Sequence, residues 1–221
     1  MYKILKNRAE AGIALADELQ AYKNSPDTII LAIPRGGVPV AYEMAVKLNL
    51  HFDLMIVCKL GYPRHEEYAI GAVTMGNLVY INPQVSATID INAFNIQTMI
   101  EKERREYLRR DNLYRNNRPL PNVKGKKVIL VDDGVATGLS ITAVIMVLKQ
   151  LNPAEIIVAV PVLSPDALKR LSNLVDKVFC LSIPEPFHSM KLCYDDFHQV
   201  TDQEVKVLCA KAARRNLLDS V

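Results

Sequence analysis

Two adjacent carboxylates, Asp132 and Asp133, close an apolar run at residues 128–131 and open a short loop built from glycines and hydroxyl side chains. That order of residue types points to a particular chemistry. Gly134 and Gly138 let the backbone turn tightly and come close to a ligand. The amides of Ala136, Thr137, Gly138, Leu139 and Ser140 can then point inward as donors, with hydroxyls added by Thr137 and Ser140. An apolar helical pattern follows over 141–151, and the positive end of such a helix favours a phosphate dianion. The two acids are acceptors suited to the vicinal hydroxyls of a ribose or to waters around Mg²⁺. One segment can therefore hold a sugar by its diol and its 5′-phosphate together. The plainer readings are a strand–loop–helix with acids at its rim, as in a phosphorylated receiver domain, or a metal-only site.

The acids need a buried strand to deliver them to the C-terminal edge of a sheet, where open α/β folds bind ligands. The surrounding pattern supplies such a frame. Apolar runs at 28–33, 54–58, 156–160 and 178–181 read as further strands, and helical periodicity covers 9–22, 38–48, 94–114 and 165–174. Segments 70–75 and 78–81 flank Gly76-Asn77 and read as a hairpin. Ser164 before Pro165, and Thr201-Asp202-Gln203-Glu204, are helix-opening signals. The fold class is α/β: a mainly parallel twisted sheet with helices on both faces. A hairpin and long helix at about 70–118 interrupt the alternation, so the expectation is a single domain over 1–221 with that insertion.

Three further stretches bear on chemistry. Pro34-Arg35-Gly36-Gly37 ends the first strand, where two glycines expose amides and Arg35 offers a fork of donors for phosphate oxygens. Its plainer reading is a structural strand-to-helix turn. Residues 59–71, opening with Lys59, are polar, carry Gly61 and Pro63 and read as a loop. Arg64 and His65 within it can reach a ligand or simply face solvent, and Glu67 has no role that spacing defines. Residues 184–198 are dense in aromatic and acidic side chains. Phe187, Tyr194 and Phe197 can stack on a planar acceptor, while Asp195 and Asp196 can accept from ring nitrogens; packing of a closing loop on the core explains the aromatics equally well. The arginines at 104, 105, 109, 110, 115 and 118 fit a solvated helix face with i,i+4 pairs, or else an anion- or RNA-contacting surface.

Half the residues are hydrophobic, 23% are charged and the net charge is +3, ordinary for a globular protein and too mild to argue for nucleic acid. The first residues turn polar too quickly for a secretory signal, and no apolar run approaches the roughly 20 residues of a membrane span. The four cysteines form no C-x-x-C pair; Cys58, Cys180 and Cys209 sit in apolar patterns, and the expected home is a reducing cytoplasm. His188, Cys193 and His198 match no familiar zinc spacing.

The string Val-Ile-Leu-Val-Asp-Asp-Gly-Val-Ala-Thr-Gly at 128–138 resembles the phosphoribosyl-diphosphate (PRPP) binding motif of type I phosphoribosyltransferases. The resemblance covers roughly residues 28–200, and the C-terminal pattern is similar to a stand-alone subgroup whose acceptor is unassigned. It implies that Asp132 and Asp133 take the ribose diol and also meet Mg²⁺ through water, and that Gly134 and residues 136–140 take the 5′-phosphate. It places Arg35, Gly36 and Gly37 in the pyrophosphate loop, with a cis bond before Arg35. Lys59 falls at the start of a flexible loop that closes over the reacting centre. The implied catalytic set is Arg35, Lys59, Asp132 and Asp133. The implied reaction moves a 5-phosphoribosyl group from PRPP to a nitrogenous base with Mg²⁺ as cofactor. Its partners would be PRPP and a nucleobase-like acceptor, with a homodimer allowed. Phosphoribosyltransferases for 6-oxopurines carry an Asp where this loop has Ala136, which turns the expectation away from hypoxanthine or guanine. The alternative is a PRPP-binding regulator of nucleotide metabolism that contacts nucleic acid.

Overall fold

The computed structural model describes residues 4–62, 65–74, 78–82, 96–119 and 121–218, with only the backbone described at 62 and 65–69. Five strands form a parallel sheet in the order β2-β1-β6-β7-β8: β1 (Thr28–Ala32), β2 (His51–Leu54), β6 (Lys127–Val131), β7 (Glu155–Val162) and β8 (Lys177–Ser182). The chain runs outward from β1 to β2, then returns to the other side of β1 with β6. β1 and β6 are therefore neighbours, in register from Thr28 opposite Lys127 to Ala32 opposite Val131. Their C-terminal ends flank the point where strand order reverses, the crevice in which open α/β sheets bind ligands.

Burial on both faces explains why the strands read as continuous apolar runs rather than alternating ones. Ile30, Ala32, Ile129 and Val131 face one core, with helices α1 (Arg8–Glu18) and α2 (Gly37–Leu48). Ile29, Leu31, Val128 and Leu130 face the other, with α4 (Leu139–Gln150) and α5 (Pro165–Leu171). Each such Ile, Leu or Val side chain, once buried, contributes about 1.5–3 kcal/mol, so the central strands hold the crevice firmly. Helix signals act as read: Ser164 caps α5 by accepting from the Ala167 amide, and Thr201 with Glu204 closes a capping box on the last helix, α6 (Asp202–Arg214).

Two expectations need correction. The apolar run 54–58 is not one strand. The Met55 amide still donates to Ala32 O at 2.8 Å, at the end of β2. From Val57 the chain enters a second, antiparallel sheet, β3-β4-β5: β3 (Val57–Tyr62), β4 (His65–Thr74) and β5 (Leu78–Ile81). Both halves of the run are buried, so apolarity does not mark the change of sheet. The residues from Lys59 are likewise not a loop: 59–62 lie in β3 and 65–71 in β4. Gly61, read as a loop signal, sits where the β3–β4 register shifts, a place that suits glycine within a strand. Pro63, Arg64 and the Gly76-Asn77 turn lie outside the described residues.

The long charged helix α3 (Ile96–Arg115) ends on a buried ionic cluster. Arg115, 1% exposed, donates to Asp53 at 3.0 and 2.9 Å and to Asp111 at 2.9 Å, and Arg118 reaches Asp53 at 3.2 Å. Asp53 belongs to the edge strand β2, so the cluster clamps α3 to the parallel sheet. Arg109 and Arg110 both hold Glu106, whose carboxyl they pull down to about 2. Four of the six arginines considered for an RNA surface thus have internal partners.

Candidate active site

The loop after β1 and the loop after β6 meet at the crevice. The Pro34–Arg35 bond is cis, as the resemblance implies. Ile33 N donates to Val131 O at 2.8 Å, carrying the β1–β6 pairing one residue past the strand. Gly36 lies directly against the Asp133 carboxyl, where a Cβ would collide with it. A Cβ on Gly37 would come within 2.6 Å of Val131 O and 2.8 Å of Asp132 Cα. Glycine at both positions is what lets the two loops touch, and it brings Arg35, Gly36 and Gly37 beside Asp132 and Asp133.

Beyond the acids, the loop is tied to the end of β7: Val135 N donates to Val162 O at 2.9 Å and Ser164 N to Val135 O at 3.0 Å. Ser164 Oγ also donates to Ala136 O at 2.5 Å. Gly138 then takes φ +75°, a left-handed conformation that favours glycine, and opens α4. Ala136 and Thr137 are exposed while Leu139 and Ser140 are half-buried, so the loop faces outward over a fixed base. At Gly134 the thioether end of the Met190 side chain occupies the place of a Cβ.

The acids sit in an environment that resists two negative charges. Part of Asp132 reaches the surface, yet its carboxyl is enclosed by protein atoms. That burial, and then the Asp133 charge, push it well above the usual carboxylate range. Burial also raises Asp133, against the opposing pull of Arg8. Asp132 accepts from the Asp133 amide at 2.8 Å. Hard carboxylate oxygens with a deficit of positive charge suit a hydrated Mg²⁺ held through water.

Arg8 is the residue that sequence reasoning missed. It opens α1, its side chain is 8% exposed, and its Nε and Nη2 both approach Asp133 Oδ2 at 2.8 Å. Nη1 donates to the His198 carbonyl at 2.8 Å, and the guanidinium lies 4.0 Å from the Phe197 ring centre. A cation in the first turn of a helix opposes the helix dipole; that local mismatch was the signal that Arg8 answers to a tertiary partner. Asp202, at the start of α6, was also missed. It accepts from Arg35 at 3.4 Å and from the Tyr114 hydroxyl at 2.6 Å.

The aromatic residues of 184–198 are engaged internally. Tyr194 is 5% exposed, donates to the Asp133 carbonyl at 2.6 Å and stacks on Phe197 at 4.9 Å. Tyr194 is therefore not presented to a planar acceptor, which corrects its expected role: its hydroxyl and ring anchor the segment to the acid loop. Phe197 already carries the Tyr194 ring and the Arg8 guanidinium, and Phe187 packs on the small core around Leu5 and Cys193. Lys59, exposed in β3, makes no hydrogen bond or ion pair with Arg35 or the acids among the described residues. No helix among them is long and apolar enough to cross a membrane.

The profile of the phosphoribosyl transferase domain matches residues 1–196. A Mycobacterium tuberculosis (strain H37Rv) protein, Rv0571c, provisionally named a phosphoribosyl transferase, is 32% identical over 212 residues, covering 96% of this chain and 48% of that protein. The chain thus spans about half the length of the curated relatives it matches. The crystal structure of TT1426 from Thermus thermophilus is 36% identical with a TM-score of 0.82, covering 94% of this chain and 98% of that one. With the acid pair and glycine loops at the switch point of a parallel sheet, and the domain profile matched along most of its length, this chain belongs to the phosphoribosyl transferase domain family.

Proposed function

We propose that the protein transfers a 5-phosphoribosyl group from PRPP to a nitrogen of a base-like acceptor and releases pyrophosphate. The observation that carries this reading is the contact of Gly36 with Asp133, which joins the Arg35-Gly36-Gly37 loop and the acid-and-amide loop into one cleft. In this reading Asp132 and Asp133 accept from the ribose 2′- and 3′-hydroxyls, and the amides and hydroxyls of 136–140 hold the 5′-phosphate. Arg35, Lys59 and the backbone at Gly36 face the pyrophosphate, whereas the Gly37 amide, expected to be exposed, is buried and already donates to Ile33 O at 3.1 Å.

The bond from the anomeric carbon to pyrophosphate oxygen breaks as a bond to the acceptor nitrogen forms, and the proton of that nitrogen passes to the departing pyrophosphate or to water. The ring develops oxocarbenium character, as in glycoside cleavage. The protein contributes by holding the donor at three points and by placing cations where the leaving group gathers charge. Mg²⁺, held through water by Asp132 and Asp133, would supply further neutralisation of the departing polyanion. Ala136 has no carboxylate to offer, so an acceptor chosen by an acid at that point is disfavoured. Four free cysteines, three of them buried, fit a reducing compartment.

The test is pyrophosphate release from PRPP and Mg²⁺ over a panel of nucleobases. Turnover with one base supports the assignment. Saturable PRPP binding without turnover on any base would replace it with a PRPP-binding regulator.

A further inference from the structure

We propose that the cavity between helix α4 and the β4–β5 pair is a second binding site, for a small aromatic molecule carrying one anionic group. It encloses about 490 Å³, within the range of about 300–1,000 Å³ that small-molecule sites occupy. Leu139, Thr142, Ala143 and Met146 line it at i, i+3, i+4 and i+7, so one face of α4 forms one wall. Tyr80 of β5 and Gly71 of β4 form the opposite wall. A flat ring between them meets a thioether, branched alkyl groups and an aromatic side chain. Of residues 136–140, read as the 5′-phosphate cup, only Leu139 lines this cavity, so it is not the cup.

Two polar groups of the lining have no partner among the described residues. The Thr142 hydroxyl oxygen is buried without a hydrogen bond, where buried polar groups are nearly always satisfied. Arg170 is exposed and makes no hydrogen bond or ion pair, not even with Asp166 one turn before it. A basic residue in the last turn of α5 suits the helix dipole, and Lys169 has that place as well, but only Arg170 lines the cavity. Its Cδ lies 3.5 Å from where a Gly138 Cβ would stand, so its stem rests on the turn that opens α4. The guanidinium fork is matched to a carboxylate or a phosphate, and the Thr142 hydroxyl to a further polar atom of the ligand. Asn173 spends its amide nitrogen on Lys169 O at 3.0 Å and leaves an acceptor oxygen, which disfavours a second negative charge.

Methyl NMR on the full chain tests this, with Met146 as the reporter and phenyl phosphate, benzoate, benzyl alcohol and inorganic phosphate as probes. Phenyl phosphate or benzoate should shift the Met146 methyl to saturation, and the tighter of the two tells which anion the site takes. Arg170→Met should weaken that anion about 10- to 100-fold, the loss of a charge-assisted hydrogen bond, and leave benzyl alcohol unchanged. Thr142→Val should weaken it about fivefold; unchanged affinity there removes the hydroxyl from the site. No saturable shift at Met146 with either anion, or equal affinity in Arg170→Met, overturns the proposal. Inorganic phosphate binding as tightly as phenyl phosphate overturns the aromatic part. Phenyl phosphate held in the 136–140 cup instead would leave Met146, about two turns along α4, unshifted and counts against the site. The readout at Met146 does not depend on PRPP, so its failure leaves the proposed reaction standing.

Discussion

Gly36→Ala isolates the contact between the two loops. Gly36 has φ −60° and ψ −36°, which alanine adopts without strain. The three heavy atoms nearest the added methyl all belong to the Asp133 carboxyl, with Oδ1 at 2.9 Å. Asp133 must rotate away and give up its two bonds from Arg8. Removing one partner of a buried pair costs about 3–5 kcal/mol. Here Asp133 retains 16% side-chain exposure and Arg8 keeps His198 O and Phe197, which brings the loss to about 2–3 kcal/mol. Reduced freedom of the unfolded chain returns about 0.4–1 kcal/mol. The net of about 2 kcal/mol lowers Tm by about 4–8 °C for a chain of this size. PRPP loses a hydrogen bond to a charged group, about 1.5–3 kcal/mol, so binding weakens roughly 10- to 100-fold. The assay is thermal melting and PRPP calorimetry on Gly36→Ala, Asp133→Ala and the double variant. With the carboxyl already deleted, the methyl has nothing to displace, so Gly36→Ala should cost little in that background. An equal cost in both backgrounds, or wild-type melting and affinity in the single variant, would refute the reasoning.

Three other outcomes follow from the same contacts. Asp202→Asn releases Arg35 from an exposed ion pair worth about 0.2–1 kcal/mol, so pyrophosphate should bind about 1.4- to 5-fold tighter; weaker binding by calorimetry would contradict that role for Asp202. Arg115→Met leaves Asp53 and Asp111 buried without their cation, and should cost about 3–5 kcal/mol in urea unfolding; a change below about 1 kcal/mol would show the cluster does not clamp α3. Finally, Asp196 and then Glu204 raise the His198 pKa, so its stabilisation is full below 6.5 and lost as pH climbs through the raised folded value. The Thr201 backbone amide, and then its hydroxyl, lower Glu204 to about 2, so its contribution is full above 4.5 and fades as pH falls toward that value. The contribution of these two groups should therefore be constant between 4.5 and 6.5, read as the melting difference between wild type and His198→Gln. The difference is needed because the raised Asp132 and Asp133 carboxyls make overall stability fall as pH rises across that range. A His198→Gln variant that keeps the same alkaline decline would remove His198 from that account.

The parallel sheet and the acid loop were legible because each depends on local signals. Asp132-Asp133 follows a continuous apolar strand, and Gly138 supplies the positive φ that opens α4. The glycines at 36 and 37 were legible as close-approach positions, though not what approaches them: Asp133 and Val131 lie about a hundred residues away in sequence. Residues 54–62 misled because burial is the same in both sheets, and a register shift at Gly61 looks like a loop when no partner strand is in view. Arg8 was hidden for a related reason. Its partners Asp133 and His198 lie 125 and 190 residues further along the chain, and only its unfavourable place at a helix start hinted at them. Tyr194 and Phe197 show the opposite error, since aromatic residues near a site need not face a ligand.

The central claim is that the acid pair and the neighbouring amides grip one phosphorylated pentose donor. Calorimetric titration of PRPP with Mg²⁺ into the wild type and into Asp132→Asn/Asp133→Asn measures it most directly. One saturable site per wild-type chain, with binding abolished in the double variant whose melting stays cooperative, is the predicted result. Equal affinity in the two proteins, or no heat with the wild type, would contradict it.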